Sequence, residues 1–225
     1  MFLKVADVAA VVGVDERTVL NWIKHQGLHA HKQDDRYRIN RVDLLEWATA
    51  NGIVIPLNVF ESNEDALQLP SVSEALGRGG IHYDLPGDSP ETALREVISQ
   101  LNLPPGLDPE FLLQTFLARE ALGSTAFGNG IAIPHVRNPI VGQGGESAIS
   151  LCFLKNPIDF NAIDGKPVTV LFTFVTANVK QHLHLLAKLA FLLHDQNLQS
   201  LLHRPGTEAE IMSAIIALEE TIIRR

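Results

Sequence analysis

Apolar positions at helical spacing open the chain. Val5, Val8 and Val12 recur at three- and four-residue intervals and predict a short helix over residues 4–11. Gly13 breaks it. Asp15 is a good N-cap for a second helix over about 16–26, which Gly27 ends. Val19, Trp22 and Ile23 form the inward side of that helix. Residues 28–39 alternate about Asp34-Asp35 and predict a hairpin. A third helix follows over 41–50, with Leu44, Leu45 and Trp47 facing inward and Gly52 closing it.

The pattern then lapses. Residues 51–70 scatter Gly52, Pro56, Asn58, Asn63 and Pro70 among apolar positions, which predicts a linker with docked side chains such as Val59 and Phe60. A short helix over 71–76 and Gly79-Gly80 precede a strand over 81–85. Ser89-Pro90-Glu91 reads as an N-cap with proline in the first turn. The helix it opens should bury Leu94, Val97, Ile98 and Leu101. Asp108-Pro109-Glu110 repeats that signal, for a helix with Phe111, Leu112, Thr115 and Phe116 inward and its end near Arg119-Glu120. Strands are expected over 147–154 and 167–175. The second is apolar nearly throughout, as in a strand covered on both faces. Helices over 182–194 and about 208–223 complete an α/β alternation.

Composition narrows the class. With 225 residues, 46% hydrophobic and 20% charged, the chain is long enough for two small domains with ordinary cores. No run approaches the length of a membrane-spanning helix, and the N-terminus lacks the pattern of a signal peptide, so no membrane insertion is expected. The single Cys152, inside an apolar run, excludes an internal disulfide, suits a reducing cytoplasm and reads as a small core hydrophobe. Net charge is −8 and unevenly placed. Residues 1–50 carry seven Lys/Arg and seven Asp/Glu, so the whole excess lies beyond them. That asymmetry suggests two modules, and the neutral balance does not by itself announce nucleic-acid binding.

The candidate chemistry centres on Gly128-Asn129-Gly130-Ile131-Ala132-Ile133-Pro134-His135. Pro134 has no N–H and cannot continue a central ladder, so an apolar strand should stop there. His135 is thereby delivered at a rigid strand end, and the glycines upstream permit tight turns. His29 and His31 would share one face of a strand. With no Cys or acidic ligand at a zinc-like spacing, they are not expected to bind metal. His82 is read as structural or exposed.

Gly-x-Gly-x-Ala-x-Pro-His, preceded by Arg119-Glu120 and Gly123-Ser124-Thr125, resembles the phosphorylation segment of the enzyme IIA family of the bacterial phosphotransferase system, fructose/mannitol type with its nitrogen-regulatory branch. The resemblance runs from about Leu69 to the C-terminus. It implies an enzyme IIA-like sheet flanked by helices over 69–225, with His135 accepting a phosphoryl group from an HPr-like phosphocarrier protein. A neutral imidazole is a competent nucleophile for this, and the protein has mainly to position it and stabilise phosphoryl oxygens. Arg119 offers paired donors, Ser124 and Thr125 offer hydroxyls, and Gly130 offers close backbone approach. His182 matches the second histidine of the family's His-Leu-x-Leu-Leu-Ala segment and falls near a helix start, where an anion is favoured. His184 falls on another side of that helix and is left out. Phe127 departs from the family, which tends to carry a smaller aliphatic residue there. No cofactor and no metal are implied.

Residues 1–52 resemble the small winged helix-turn-helix domain of excisionase and MerR type, with 53–68 as linker. The matching residues include Val5-Ala6-Asp7-Val8-Ala9, Val14 to Val19, Trp22, Gly27-Leu28, Tyr37-Arg38-Ile39, Asp43-Leu44 and Trp47. In such domains the second helix enters the major groove and the wing touches the backbone. Arg17 and Asn21 have donor geometry for guanine and adenine edges, and Lys24, Lys32, Arg36 and Arg38 would contact phosphates. A homodimer would be needed for useful DNA affinity. A regulatory target protein is the other partner such a module could serve. A cytoplasmic regulator is favoured over direct transport coupling. A transport enzyme IIA for a separate permease, or a transcription factor whose IIA-like part only senses, are the rival readings.

Overall fold

The computed structural model describes residues 2–56, 69–101, 103, 106–136 and 146–223. The chain divides into two compact units, residues 1–68 and 69–225. Val59 and Phe60, expected to dock from the linker, lie outside the described residues.

The first unit runs β1 (Phe2–Lys4), α1 (Val5–Val12), α2 (Glu16–His25), β2 (His31–Gln33), β3 (Arg36–Asn40) and α3 (Arg41–Ala50). Asp15 caps α2 where the sequence signals it, and Asn40, not singled out in the sequence, caps α3. Asp15 accepts from the Thr18 amide at 2.7 Å, and Asn40 accepts from that of Val42 at 2.9 Å. Asp34 and Asp35 both adopt positive φ, 47° and 58°, which makes a two-residue turn whose twist suits the β2–β3 hairpin. β1 was not foreseen. At three residues, with only Leu3 buried, it is too short to show alternation, yet it pairs antiparallel with β3. Val8, Val19, Trp22, Leu28, Ile39, Leu44 and Trp47 close the core. The two indoles lie 4.8 Å apart, and Trp47 Nε1 donates to the Gln26 carbonyl at 2.7 Å, which also satisfies the end of α2.

The second unit continues α4 (Val72–Gly79), β4 (Ile81–Leu85), α5 (Pro90–Gln100), α6 (Pro109–Glu120), β5 (Ala126–Gly128), β6 (Ile131–Ala132), β7 (Ala148–Ile158), β8 (Val168–Val175), α7 (Val179–Leu192), α8 (Gln196–His203) and α9 (Glu208–Ile223). A five-stranded mixed sheet has the order β4-β7-β8-β6-β5. β4–β7 and β6–β8 are parallel; β7–β8 and β5–β6 are antiparallel. β8 is buried along nearly its whole length, as its apolar run requires. Gly79 is needed where α4 ends, because a Cβ there would lie 2.2 Å from the Ile149 carbonyl oxygen of β7. Glu219 of α9 accepts from the Val72 and Ser73 amides at 2.7 and 3.1 Å, capping α4 from the far end of the chain. No helix among the described residues is long and apolar enough to cross a membrane.

The structure corrects several expectations. Phe111 is 60% exposed, and Leu113 is buried instead. α6 turns Leu112, Leu113 and Phe116 inward, which leaves position 111 beside that stripe rather than on it. Leu101 is only partly buried. α7 starts at Val179 under an Asn178 cap, one turn before His182, and ends at Leu192. β7 runs on to Ile158 through a register shift after Phe153, because a bulge carries pairing past its polar residues. β5 and α8 were not foreseen. The first is three residues long and the second a two-turn helix capped by Asp195.

Candidate functional site

The site is built from the β5–β6 hairpin outward. Asn129 and Gly130 adopt φ of 52° and 74°, a tight turn that an asparagine–glycine pair forms with little strain. Three groups tie Asn129 down. Its amide donates to Asp164 Oδ2 at 2.7 Å, its side-chain oxygen accepts from Lys166 Nζ at 2.9 Å, and its carbonyl oxygen lies 2.8 Å from His203 Nε2. The Asn129 amide is the main cause that holds the Asp164 carboxyl below the usual carboxylate range. Gly130 accepts from the Thr169 and Val170 amides, which docks the turn on the start of β8.

From there the chain runs beside β8 to His135. The Ile133 amide donates to the Thr125 carbonyl at 2.9 Å, and the Phe174 amide donates to the Pro134 carbonyl at 3.2 Å. Pro134 ends the regular strand as expected, while its carbonyl keeps the register, so that His135 still bridges Phe174. His135 Nδ1 lies 2.7 Å from the Ile133 carbonyl oxygen. A carbonyl only accepts, so this contact requires the proton on Nδ1 and leaves the ring's lone pair on Nε2.

The fold brings a second imidazole to the first. The ring centroids of His135 and His182 are 5.1 Å apart, inclined at 47°. His182 sits in the first turn of α7, where Asn178 caps the helix by accepting from the Gln181 amide at 2.9 Å. Ser147 fastens this corner to the head of β7, since its hydroxyl donates to Gln181 Oε1 and accepts from the Ala177 amide. A helix N-terminus beside the imidazole pair favours an incoming anion. Ser147 and Gln181 escaped sequence reasoning because no local pattern links them. His184 accordingly turns away, with Nε2 3.0 Å from the Pro70 carbonyl oxygen.

Arg119 and Glu120 act on the loop between α6 and β5. Arg119 Nη1 donates to the Gly123 carbonyl at 2.9 Å. Glu120 accepts from the Thr125 amide at 3.0 Å and from its hydroxyl at 2.6 Å. Ser124 Oγ donates to the Phe160 carbonyl at 2.5 Å and accepts from the Ala126 amide. The two hydroxyls expected to donate to a phosphoryl group therefore spend their single protons elsewhere, and they serve the loop's shape. Phe127 packs edge-on against His194, with centroids 5.3 Å apart, and occupies the flank of the hairpin. His82 is structural, its Nε2 lying 3.0 Å from the Gly79 carbonyl oxygen. Cys152 is a core residue whose thiol burial pushes up to about 12.

In the first unit Arg17, Asn21 and Lys24 are exposed at i, i+4 and i+7 along α2, one continuous side of that helix. The wing is less uniform. Arg36 and Arg38 pair with Gln33 and His31, whereas Lys32 pairs with Tyr37, so Lys32 projects from the opposite side of the ribbon. Lys32 Nζ also meets Asp35 at 2.7 Å in an exposed ion pair of the kind that contributes little.

The second unit thus carries a histidine at the exit of a strand in a mixed sheet and a second histidine on the neighbouring helix, and it follows a helix-turn-helix unit in the chain. The chain belongs to the family of the phosphoenolpyruvate-dependent sugar phosphotransferase system, EIIA 2, which matches residues 76–217. Residues 2–52 match a helix-turn-helix domain. Within the family it is similar to several nitrogen regulatory proteins. The one from Pseudomonas aeruginosa is 34% identical over 152 residues, covering 66% of this chain and 96% of the relative. That of Escherichia coli K12 is 32% identical over 164 residues, covering 71% of this chain and 96% of its own length. The crystal structure of nitrogen regulatory protein IIA-Ntr from Neisseria meningitidis superposes with a TM-score of 0.57 at 27% identity, over 64% of this chain and 98% of that one.

Proposed function

We propose that the protein accepts a phosphoryl group from an HPr-like phosphocarrier on Nε2 of His135, and that the helix-turn-helix unit reads out the state of that histidine. One observation carries the reading: Nδ1 is engaged by the Ile133 carbonyl, so the nucleophilic lone pair belongs to Nε2. In the transfer the Nε2–P bond forms as the donor's N–P bond breaks, and the electron pair of the broken bond returns to the donor nitrogen. His182 and the head of α7 stabilise the phosphoryl oxygens. Arg119 shapes the loop before β5 and supplies positive charge to that side of the unit. Ser124 and Thr125 act through the loop rather than on phosphate.

The reaction makes the chain a phosphohistidine carrier in the cytoplasm. The added charge at His135 then alters binding to DNA or to a regulatory protein. The exposed row Arg17, Asn21 and Lys24 favours DNA as the readout.

The test is transfer in vitro. The protein and its His135→Ala variant are incubated with phosphoenolpyruvate, enzyme I and HPr, and the mass is followed at alkaline pH, where phosphohistidine survives. A phosphate adduct on the parent alone supports the carrier. No adduct on folded parent protein turns the domain into a sensor. For the readout, DNA retardation that depends on Arg17 and Asn21 and shifts with phosphorylation supports the regulator. Onward transfer to a permease component with no DNA retardation supports the transport role.

A further inference from the structure

The first unit carries a cluster of ligand-type groups that the helix-turn-helix reading does not use. His29 lies two residues before His31, the first residue of β2, outside the strand the sequence pattern expected it to share, and the two rings meet edge to face with centroids 4.9 Å apart. Asp43, in the first turn of α3, completes the group. One ligand atom of each of the three residues lies within 4.8 Å of the others. The sequence expectation dismissed the histidine pair for want of a third ligand. That ligand stands twelve residues after His31, and only the β2–β3 hairpin, which returns the chain to the head of α3, brings it alongside.

We propose that His29, His31 and Asp43 bind a divalent transition metal of the zinc class. His29 Nδ1 lies 3.4 Å from Asp43 Oδ2. That is long for an N–H···O hydrogen bond, which clusters at about 2.7–3.2 Å. It is close to the edge of a tetrahedron built on metal bonds of about 2.0–2.1 Å, which measures about 3.3 Å. Two imidazoles and one carboxylate are a donor set suited to zinc, nickel or copper rather than to calcium or magnesium, which take oxygen ligands.

The surroundings fit a built site. Asp43 is buried, with 8% of its side chain exposed, while the side chain of His29 is 65% exposed and gives the ion a way in. Phe2 stands edge-on to the His31 ring at 5.7 Å and helps fix its plane. Three protein ligands leave a fourth position for water. The ion ties the start of β2 to the first turn of α3 and stiffens the wing on which Arg36 and Arg38 stand.

The experiment uses the full-length protein with 15N-labelled histidine, freed of metal by chelation and titrated with zinc chloride. Imidazole resonances assigned to His29 and His31 separate this site from every other histidine. Both should move together and saturate at one equivalent for the site. Loss of even an outer partner costs about 10- to 100-fold in metal affinity, so His31→Ala and Asp43→Asn should each weaken binding at the remaining histidine by at least about tenfold. His31 is exposed, so its variant keeps the fold as a control for the buried Asp43. Unmoved His29 and His31 resonances overturn the proposal, and so does an undiminished affinity in His31→Ala.

Discussion

Nδ1 of His135 faces the carbonyl oxygen of Ile133 at 2.7 Å, two residues back along the same strand exit. This contact decides the tautomer, because an acceptor-only partner holds the proton on the nitrogen that meets it. The phosphate should therefore be found on Nε2. In protein carrying 15N-labelled histidine, the phosphorus should couple to Nε2 of His135. Coupling to Nδ1 would require the Ile133 contact to break first and would remove the basis of the assignment.

His182 is expected to act on the charge that develops during transfer rather than on the nucleophile's identity. His182→Ala should still accept phosphate at His135, but its transfer rate from HPr should fall by about 10²- to 10³-fold, the loss typical of removing one stabilising donor. His182→Gln should recover part of that loss by restoring a donor. Rapid-quench kinetics at saturating HPr would separate the two variants, and a rate unchanged in His182→Ala would reduce the residue to packing.

The Asn129-Gly130 turn makes a stability prediction. Gly130 has φ of +74°, and an added Cβ would sit 3.4 Å from the Pro167 carbonyl oxygen, tight but not clashing. The cost of Gly130→Ala should thus come mainly from the left-handed backbone, about 1–2 kcal/mol. Urea unfolding should show a lowered midpoint with an unchanged slope.

Asp164 makes the turn sensitive to acid. The Asn129 amide depresses its folded pKa, so its contribution to stability is present above the unfolded value of about 3.9 and is lost as pH falls through the folded value. Stability measured from about pH 5 downward should decline less steeply in Asp164→Asn than in the parent. Above that range the two slopes should coincide.

Cys152, with its thiol pushed up to about 12 by burial in β7, should not react with a thiol reagent at pH 8 while the protein is folded. One equivalent should react in denaturant. Fast labelling of native protein would mean that β7 opens locally.

Much of the fold was legible in local signals. Ser89-Pro90 and Asp108-Pro109 marked helix starts because the cap and the proline act within a single turn. The unbroken apolar run of β8 announced a strand covered on both faces. β1 and β5 were invisible for the converse reason. Three residues show no period, and such strands exist only because β3 and β6 offer free ladder edges to them. Phe111 misled because hydrophobicity says that a side chain prefers burial, not that a neighbouring element arrives to cover it.

The same division runs through the site. His135, the proline that stops its strand and the glycine turn before it are contiguous, and their stereochemistry acts over a few bonds, so the sequence alone determined them. The sequence also singled out His182 through its resemblance to a family segment. Which nitrogen of His135 bears the proton, which loop atoms occupy Ser124 and Thr125, and which carboxylate stands beside His29 were decided by the tertiary structure. Each depends on the direction of a hydrogen-bonding group carried by another stretch of chain, at 2.7 Å for Ile133, 2.5 Å for Phe160 and 3.4 Å for Asp43. Hydrogen bonds and metal coordination fall away within a fraction of an ångström. A pattern of residue types, which records composition and spacing along the chain, does not carry that information until packing has set the distances.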